Sequence, residues 1–94
     1  MSTSNDDFFK RADEHIKLAN EQLTSYSRGQ VSASLTYSAA RFSAWLSACE
    51  FKDVAEMEAS KETTLKYFLT QYEEMLEENL EDYIRHFDEY MQRG

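Results

Sequence analysis

The chain contains no proline and only two glycines, Gly29 and Gly94. A β protein of 94 residues needs several tight turns, and those turns depend on glycine and proline. Hydrophobic residues make up 41% of the chain and include six phenylalanines, six tyrosines and one tryptophan, which is enough for a core. The sequence therefore predicts an all-α fold.

The length of the chain bounds its domain organisation. At 94 residues we expect one helical domain that covers residues 1–94. A chain of this size buries roughly 60–65% of its unfolded surface, so a single layer of core is the limit.

Two helices are predicted in the first half of the chain. Helix 1 covers about 6–26, and Gly29 supplies a left-handed turn after it. Helix 2 covers about 31–51 and is rich in Ser and Ala, which let neighbouring helices approach closely, so it is predicted to be the central and most buried helix. The apolar positions of helix 1 are Phe9, Ala12, Ile16, Ala19, Leu23 and Tyr26, and those of helix 2 are Leu35, Ala39, Phe42, Leu46 and Cys49.

Helix 3 is predicted over about 53–91. Asp53 and Glu56 fit a capping box at its start, and Thr63–Thr64 is the weakest point, where the helix either continues or bends. At 1.5 Å per residue helix 3 is about 57 Å long, against about 30 Å for each of the other two helices. We expect a three-helix antiparallel bundle with a long C-terminal helix, completed by dimerisation through antiparallel pairing of the long helices. The predicted oligomer interface consists of Leu80, Tyr83, Ile84, Phe87 and Met91.

The net charge of −8 is confined to the second half of the chain. Residues 1–52 carry six acids and six bases, whereas residues 53–94 carry twelve acids and four bases. An acidic surface repels phosphate groups, so neither nucleic acid nor an anionic membrane is expected as a partner. The expected partner is a second copy of the chain, and an unidentified protein is the alternative.

The sequence also indicates a cytoplasmic location. Residues 1–7 lack the basic and apolar regions of a signal peptide. No stretch approaches the roughly 18 apolar residues that are needed to cross a bilayer.

No group of residues forms a recognisable catalytic motif or metal-binding motif. His15 and His86 lack the Glu-x-x-His spacing of di-iron helical bundles. Asp82, His86 and Glu89 share one helix face, which is more typical of a solvated acidic face than of a metal site. Cys49 lies on the apolar face of helix 2 and is predicted to be buried and inert. We therefore predict no catalytic residue, cofactor or metal ligand, and a non-enzymatic protein is favoured.

Arg41 is a charged residue within the small and apolar stretch of residues 38–45. A guanidinium group that is buried needs a partner. We predict a buried charge that forms an ion pair with Glu21 or with an acid of residues 73–78. The alternative is that Arg41 contacts a ligand or a partner protein.

Three segments together resemble a known family. They are HIKLANEQ at 15–22, VSASLTYSAARFS at 31–43 and YFLTQYEEMLEENLEDYI at 67–84. Over residues 8–90 the chain resembles a bacterial family of short helical proteins catalogued as domain of unknown function 3144. The resemblance implies a compact helical fold and a bacterial cytoplasmic setting, and it implies no activity, substrate or cofactor.

These features predict a helical protein–protein interaction module that acts as a homo-oligomer. The alternative is an acidic mimic of nucleic acid or an inhibitor of a basic protein, because the whole net charge lies on helix 3. A weaker alternative is a helical metal-binding protein.

Overall fold

The computed structural model describes residues 4–92, with side chains from Asp6 onwards. The predicted all-α class is confirmed, and no strand occurs within the described range. None of the described helices is both long and apolar enough to cross a membrane. The helices are α1 (Ser4–Gln22), α2 (Arg28–Glu50), α3 (Val54–Ala59), α4 (Lys61–Arg85) and α5 (Phe87–Met91).

The first helix ends earlier than predicted. It stops at Gln22 because the next amides bond to carbonyls only three residues back. Thr24 N donates to Glu21 O at 3.2 Å, and Ser25 N donates to Gln22 O at 3.0 Å. Leu23 and Tyr26 of predicted helix 1 therefore belong to the connecting turn.

The second helix begins at Arg28 because Ser27 caps it. Gln30 N donates to Ser27 Oγ at 3.2 Å, and Ser27 N donates to Gln30 Oε1 at 3.0 Å, which is a reciprocal capping box. Gly29 lies in the first turn of α2 and has no positive φ. The predicted left-handed turn at Gly29 is therefore wrong, since side-chain caps start the helix instead.

The predicted cap at Asp53 is confirmed. Its Oδ1 accepts a hydrogen bond from Glu56 N at 2.9 Å. Glu56 Oε1 reaches back and accepts from Lys52 N, also at 2.9 Å. Two backbone donors at the start of α3 are satisfied in this way.

The predicted helix 3 is divided at Ser60 and His86 rather than at Thr63–Thr64. Ser60 has φ −98° and ψ 4°, and its amide is shared between the carbonyls of Glu56 and Met57 at 3.3 and 3.1 Å. This sharing tightens the last turn of α3. Thr63–Thr64 lies inside α4, so of the two alternatives the helix continues there, and the nearest distortion lies at Ser60.

The distortion at His86 leaves the helical hydrogen bonds in place. His86 has φ −120° and ψ 28°, yet its amide donates to Asp82 O at 3.1 Å and its carbonyl accepts from Tyr90 N at 2.9 Å. Thr64 N likewise donates to Ser60 O at 2.9 Å across the first distortion. Helices α3 to α5 are therefore one locally distorted helical path.

The internal contacts divide the chain into two units, residues 1–44 and residues 45–94. Val31 is the buried hydrophobic residue of the first unit, with 5% of its surface exposed. The half-buried side chains of that unit are Ala12, Ala19, Gln22 and Ser43. In the second unit Ser47 is buried, and the half-buried side chains are Phe51, Met57, Ser60, Thr64, Phe68 and Asp82.

Helix α2 contains both of the buried residues in the described range, Val31 and Ser47, as expected for the most buried helix. Apart from Val31, Ser43 and Ser47, the residues of α2 are exposed. Val31 lies on the side of the helix that also carries Phe42 and Cys49, and Ser47 lies about a third of a turn or more away from that side. Cys49, predicted to be buried, is exposed as well.

Removal of the Asp53 cap is expected to destabilise the chain. Asp53→Ala leaves the Glu56 amide without its acceptor, which should lower the free energy of unfolding by about 1 kcal/mol. Asp53→Asn keeps an acceptor at the same place and should cost much less. Urea unfolding followed by circular dichroism compares the two variants, and equal losses would contradict the capping role.

Candidate functional site

The longest uncovered surface in the described part of the chain is residues 69–91, which we call the tail segment. It covers most of α4 and all of α5. All of its residues are exposed except Asp82, which is half-buried. A helix in isolation is only marginally stable in water, and helices in proteins gain most of their stability from packing of an apolar face. The tail segment is therefore the described part of the chain that would gain the most stability from packing of its apolar side.

The five predicted interface residues are all exposed on the tail segment, and Phe87 also has an interaction within the chain. Their exposed fractions range from 43% to 73%, and Ile84 is the most exposed. Tyr83 and Ile84 are adjacent, and the other steps along the chain are three or four residues, which places all five on one side of a helical path. They are Leu80, Tyr83, Ile84, Phe87 and Met91.

The other sides of the tail segment are acidic. Eight acids and one base, Arg85, give it a net charge of −7. The acids are Glu73, Glu74, Glu77, Glu78, Glu81, Asp82, Asp88 and Glu89. The segment thus combines an uncovered apolar side with a strong negative potential.

Asp82 organises a side-chain cluster where the helical path is distorted. His86 Nδ1 lies 3.3 Å from Asp82 Oδ1 and 3.1 Å from the Asp82 carbonyl oxygen. Tyr90 also hydrogen-bonds to the Asp82 side chain. We call Asp82, Tyr83, His86 and Tyr90 the Asp82 cluster.

Aromatic contacts complete the Asp82 cluster. The rings of Tyr83 and Tyr90 meet edge to face, with centroids 4.9 Å apart and an interplanar angle of 67°. The rings of His86 and Tyr90 lie 5.3 Å apart and are tilted by 31°. These contacts connect the end of α4 to α5 and fix the positions of two tyrosine rings.

The Asp82 cluster raises the pKa of Tyr90 above its ordinary value of 10.0. The main cause is the hydrogen bond to Asp82, which favours the neutral hydroxyl as a donor. The negative charges of Asp82 and Glu89 act in the same direction, because they disfavour a phenolate.

The structure brings together only two of the three residues considered for a weak metal site. Asp82 and His86 are in contact, but Glu89 does not complete a set of ligands with them. Among the described residues, no group of three His, Cys, Asp or Glu side chains is arranged to hold a metal ion. Protein metal sites usually need at least three such ligands, so the geometry gives the metal-binding alternative no support.

A second row of exposed apolar residues lies on α2, and one of them, Phe42, also has an interaction within the chain. Leu35, Ala39, Phe42, Leu46 and Cys49 follow spacings of four and three, and all five are exposed. We call this row the α2 stripe.

Arg41 is exposed, whereas the sequence predicts a buried charge. Its guanidinium group therefore needs no internal ion pair in the isolated chain.

A shallow depression lies at the turn between α1 and α2. It is open to solvent, has a volume of about 300 Å³ and is lined by Gln22, Tyr26, Gln30, Val31 and Ser34. Gln30 already serves the helix cap through its side chain. The depression is best explained as part of the turn.

Two features of these surfaces escaped the sequence-based predictions. The Asp82 cluster has a visible signal, since residues 82, 86 and 90 follow two i, i+4 steps. The exposure of the α2 stripe has no such signal, because the same spacing is typical of a buried face.

A family model and a solved structure are similar to this chain. The model of the family described as "Protein of unknown function (DUF3144)" matches residues 8–84. The NMR structure of the protein NB7890A from Shewanella sp is 42% identical, with 93% of each chain covered and a TM-score of 0.77. None of the curated proteins matches the chain.

Tyr90 is expected to titrate at a higher pH than an ordinary tyrosine. Since the pKa of Tyr90 is raised, Tyr90→Phe should remove the part of the ultraviolet titration curve at the highest pH. Its neutral form contributes stability below pH 10, and that contribution is lost as the pH rises through the folded-state pKa. Asp82→Asn removes the charged acceptor and should bring the pKa of Tyr90 back toward its ordinary value. An unchanged Tyr90 titration in Asp82→Asn would refute the role of Asp82.

Proposed function

We propose a function from the premise that the chain belongs to the DUF3144 family of proteins of unknown function: it acts as a homodimeric helical interaction module. The observation that carries the proposal is the uncovered apolar side of the tail segment. Large apolar side chains in a continuous row are typical of interaction surfaces rather than of the surface of a monomer. A second copy is the simplest partner, since two-fold pairing is the commonest form of assembly.

The energetics support a reversible dimer. Full burial of a Leu or Phe side chain contributes about 1.5–3 kcal/mol. The five predicted interface residues are 43–73% exposed, so roughly half of that gain is available to each. Two copies together gain about 8–15 kcal/mol, while association costs about 4–15 kcal/mol. The free-energy gain from burial and the cost of association are similar in size. The fraction of the chain that is dimeric should therefore depend on protein concentration.

An acidic mimic of nucleic acid, or an inhibitor of a basic protein, is the second candidate. The charge of −7 on the exposed tail segment favours it. Charged helix faces are usually solvated, however, and the uncovered apolar side would have no role in a purely electrostatic mimic. We therefore rank it below the homodimeric module.

A charge placed on the apolar side of the tail segment should dissociate the dimer. Leu80→Asp removes one buried leucine from each copy, which should raise the dimer dissociation constant by at least about 100-fold. Light scattering over a concentration series measures the mass. Val54→Asp makes a similar change at a side chain on α3 that is 81% exposed, and it should leave the dimer intact.

Two results would contradict the homodimer. The first is a wild-type mass of 11.0 kDa at every concentration. The second is an equal effect of Leu80→Asp and Val54→Asp on the dissociation constant, because only Leu80 lies on the proposed surface.

The acidic-mimic candidate makes a separate prediction. The chain should displace DNA from a basic DNA-binding protein, and the displacement should weaken as salt is added. Glu77→Lys should reduce it more than Glu62→Lys, which makes the same change outside the tail segment. Absence of displacement at low salt would rule this candidate out.

A further inference from the structure

The buried residues of the chain do not add up to a core. Within the described range Val31 is the one buried hydrophobic residue, and no large side chain there is fully buried. Val31 belongs to the first unit, whereas the described residues of the second unit include no buried hydrophobic residue. A folded domain normally buries a contiguous cluster of large apolar side chains. Over its described residues, neither unit contains such a cluster.

The second unit is built mainly on the helical path from Val54 to Met91. A single helical path has no interior, so its apolar side chains are buried only when another body packs against them. The path contains 38 residues, or about 57 Å of helix. The first unit supplies the 19 residues of α1 and residues 28–44 of α2, neither longer than about 29 Å. No helix of the first unit is therefore long enough to follow the path from end to end.

Interactions within the chain leave large side chains exposed. Phe42 and Phe87 both have such interactions, yet 63% and 45% of their surfaces remain exposed. The hydrogen bonds at Ser27, Asp53 and Asp82 join residues no more than eight positions apart. A cap or an aromatic pair stabilises a helix by about 1 kcal/mol, and a helix in isolation is only marginally stable in water. These local interactions are too weak to stabilise the helices without a core.

Like charges weaken the separate helical path further. Glu73 and Glu77 are four residues apart, as are Glu74 and Glu78, and Glu77 and Glu81. Like-charged pairs at this spacing destabilise an isolated helix. The tail segment therefore depends on packing for its stability more than its helix propensity alone would indicate.

The exposed apolar surface is large enough for a permanent interface. On residues 54–91, thirteen large hydrophobic side chains are between 43% and 81% exposed. Together they expose roughly 1,000 Å², whereas an interface of standard size takes about 800 Å² from each partner. Permanent homodimer interfaces are larger still and resemble a domain core cut in half. A second copy is thus able to supply the core that each unit lacks.

We infer that the chain has no stable folded monomer, and that two copies fold and associate in one step. This inference rests on the proposed homodimer and adds that the core lies between the copies. When the copies separate, their helices lose the packing that stabilises them, so the helix content falls together with the dimer. The amount of chain present therefore determines how much of it is folded.

Urea unfolding of the wild-type chain at two protein concentrations a hundredfold apart tests the inference. Circular dichroism follows the helix content, and sedimentation equilibrium of the same samples follows the mass. We expect helix content and dimer mass to be lost over the same range of urea. The midpoint should be roughly 1 M urea higher in the concentrated sample, because a hundredfold change in concentration corresponds to about 2.7 kcal/mol.

The outcomes separate the inference from the proposed homodimer. A species of 11.0 kDa that keeps its helix content, in dilute buffer or at intermediate urea, overturns coupled folding. The homodimer stands if that species forms a dimer at higher concentration. A helical species of 11.0 kDa at every concentration overturns both.

Leu80→Asp, which should dissociate the dimer, supplies a second readout. Leu80 is 55% exposed in the single chain, so a folded monomer would keep its helix content after this substitution. If folding depends on association, Leu80→Asp should lose most of its helix signal at a concentration where the wild type is dimeric. The signal should return when the concentration is raised about a hundredfold.

Val54→Asp is the matched control, since it introduces the same charge at a side chain that is 81% exposed. It should keep the helix content and the concentration dependence of the wild type. A helical Leu80→Asp protein with a mass of 11.0 kDa would show that the monomer folds on its own and would overturn the inference.

Discussion

The need to cover the apolar side of the tail segment is the constraint on which the rest of the structure depends. A helical path of this length gains little from its own hydrogen bonds in water, because helix formation is only marginally favourable without packing. Its acidic sides add repulsion between neighbouring glutamates, as at Glu73 and Glu77, which are four residues apart. In the proposed homodimer, burial of its apolar side would offset both terms.

Local interactions prepare the chain for this burial. The caps at Ser27 and Asp53 define where α2 and α3 begin. The Asp82 cluster ties α5 to the end of α4 across the distortion at His86, so that apolar side chains before and after the distortion stay on one path. Each of these interactions contributes about 1 kcal/mol or less. They position the tail segment but are too weak to stabilise it by themselves.

Patterns within one helix were predictable from the sequence, whereas patterns between helices were not. The all-α class followed from the lack of proline and glycine, and the Asp53 cap followed from a local motif. Ser27 and Gln30 form an equally local motif, but the prediction assigned the turn to Gly29, which lies between them. The distortion fell at Ser60 instead of Thr63–Thr64, because sharing of one amide between two carbonyls outweighed a small difference in helix propensity.

The sequence could not predict which side chains are buried and which are exposed. A row such as the α2 stripe has the same spacing whether it faces the core of its own chain or a second chain, so the exposure of Cys49 and Arg41 became visible only in the structure. For the same reason, the five predicted interface residues could be placed on one helix face but not assigned a partner.

Amide hydrogen exchange of the tail segment, measured over a range of protein concentrations, tests the central claim most directly. If a second copy covers the tail segment, protection of its amides should fall when the protein is diluted below the dimer dissociation constant. Protection that stays constant on dilution, together with a mass of 11.0 kDa, would contradict the account.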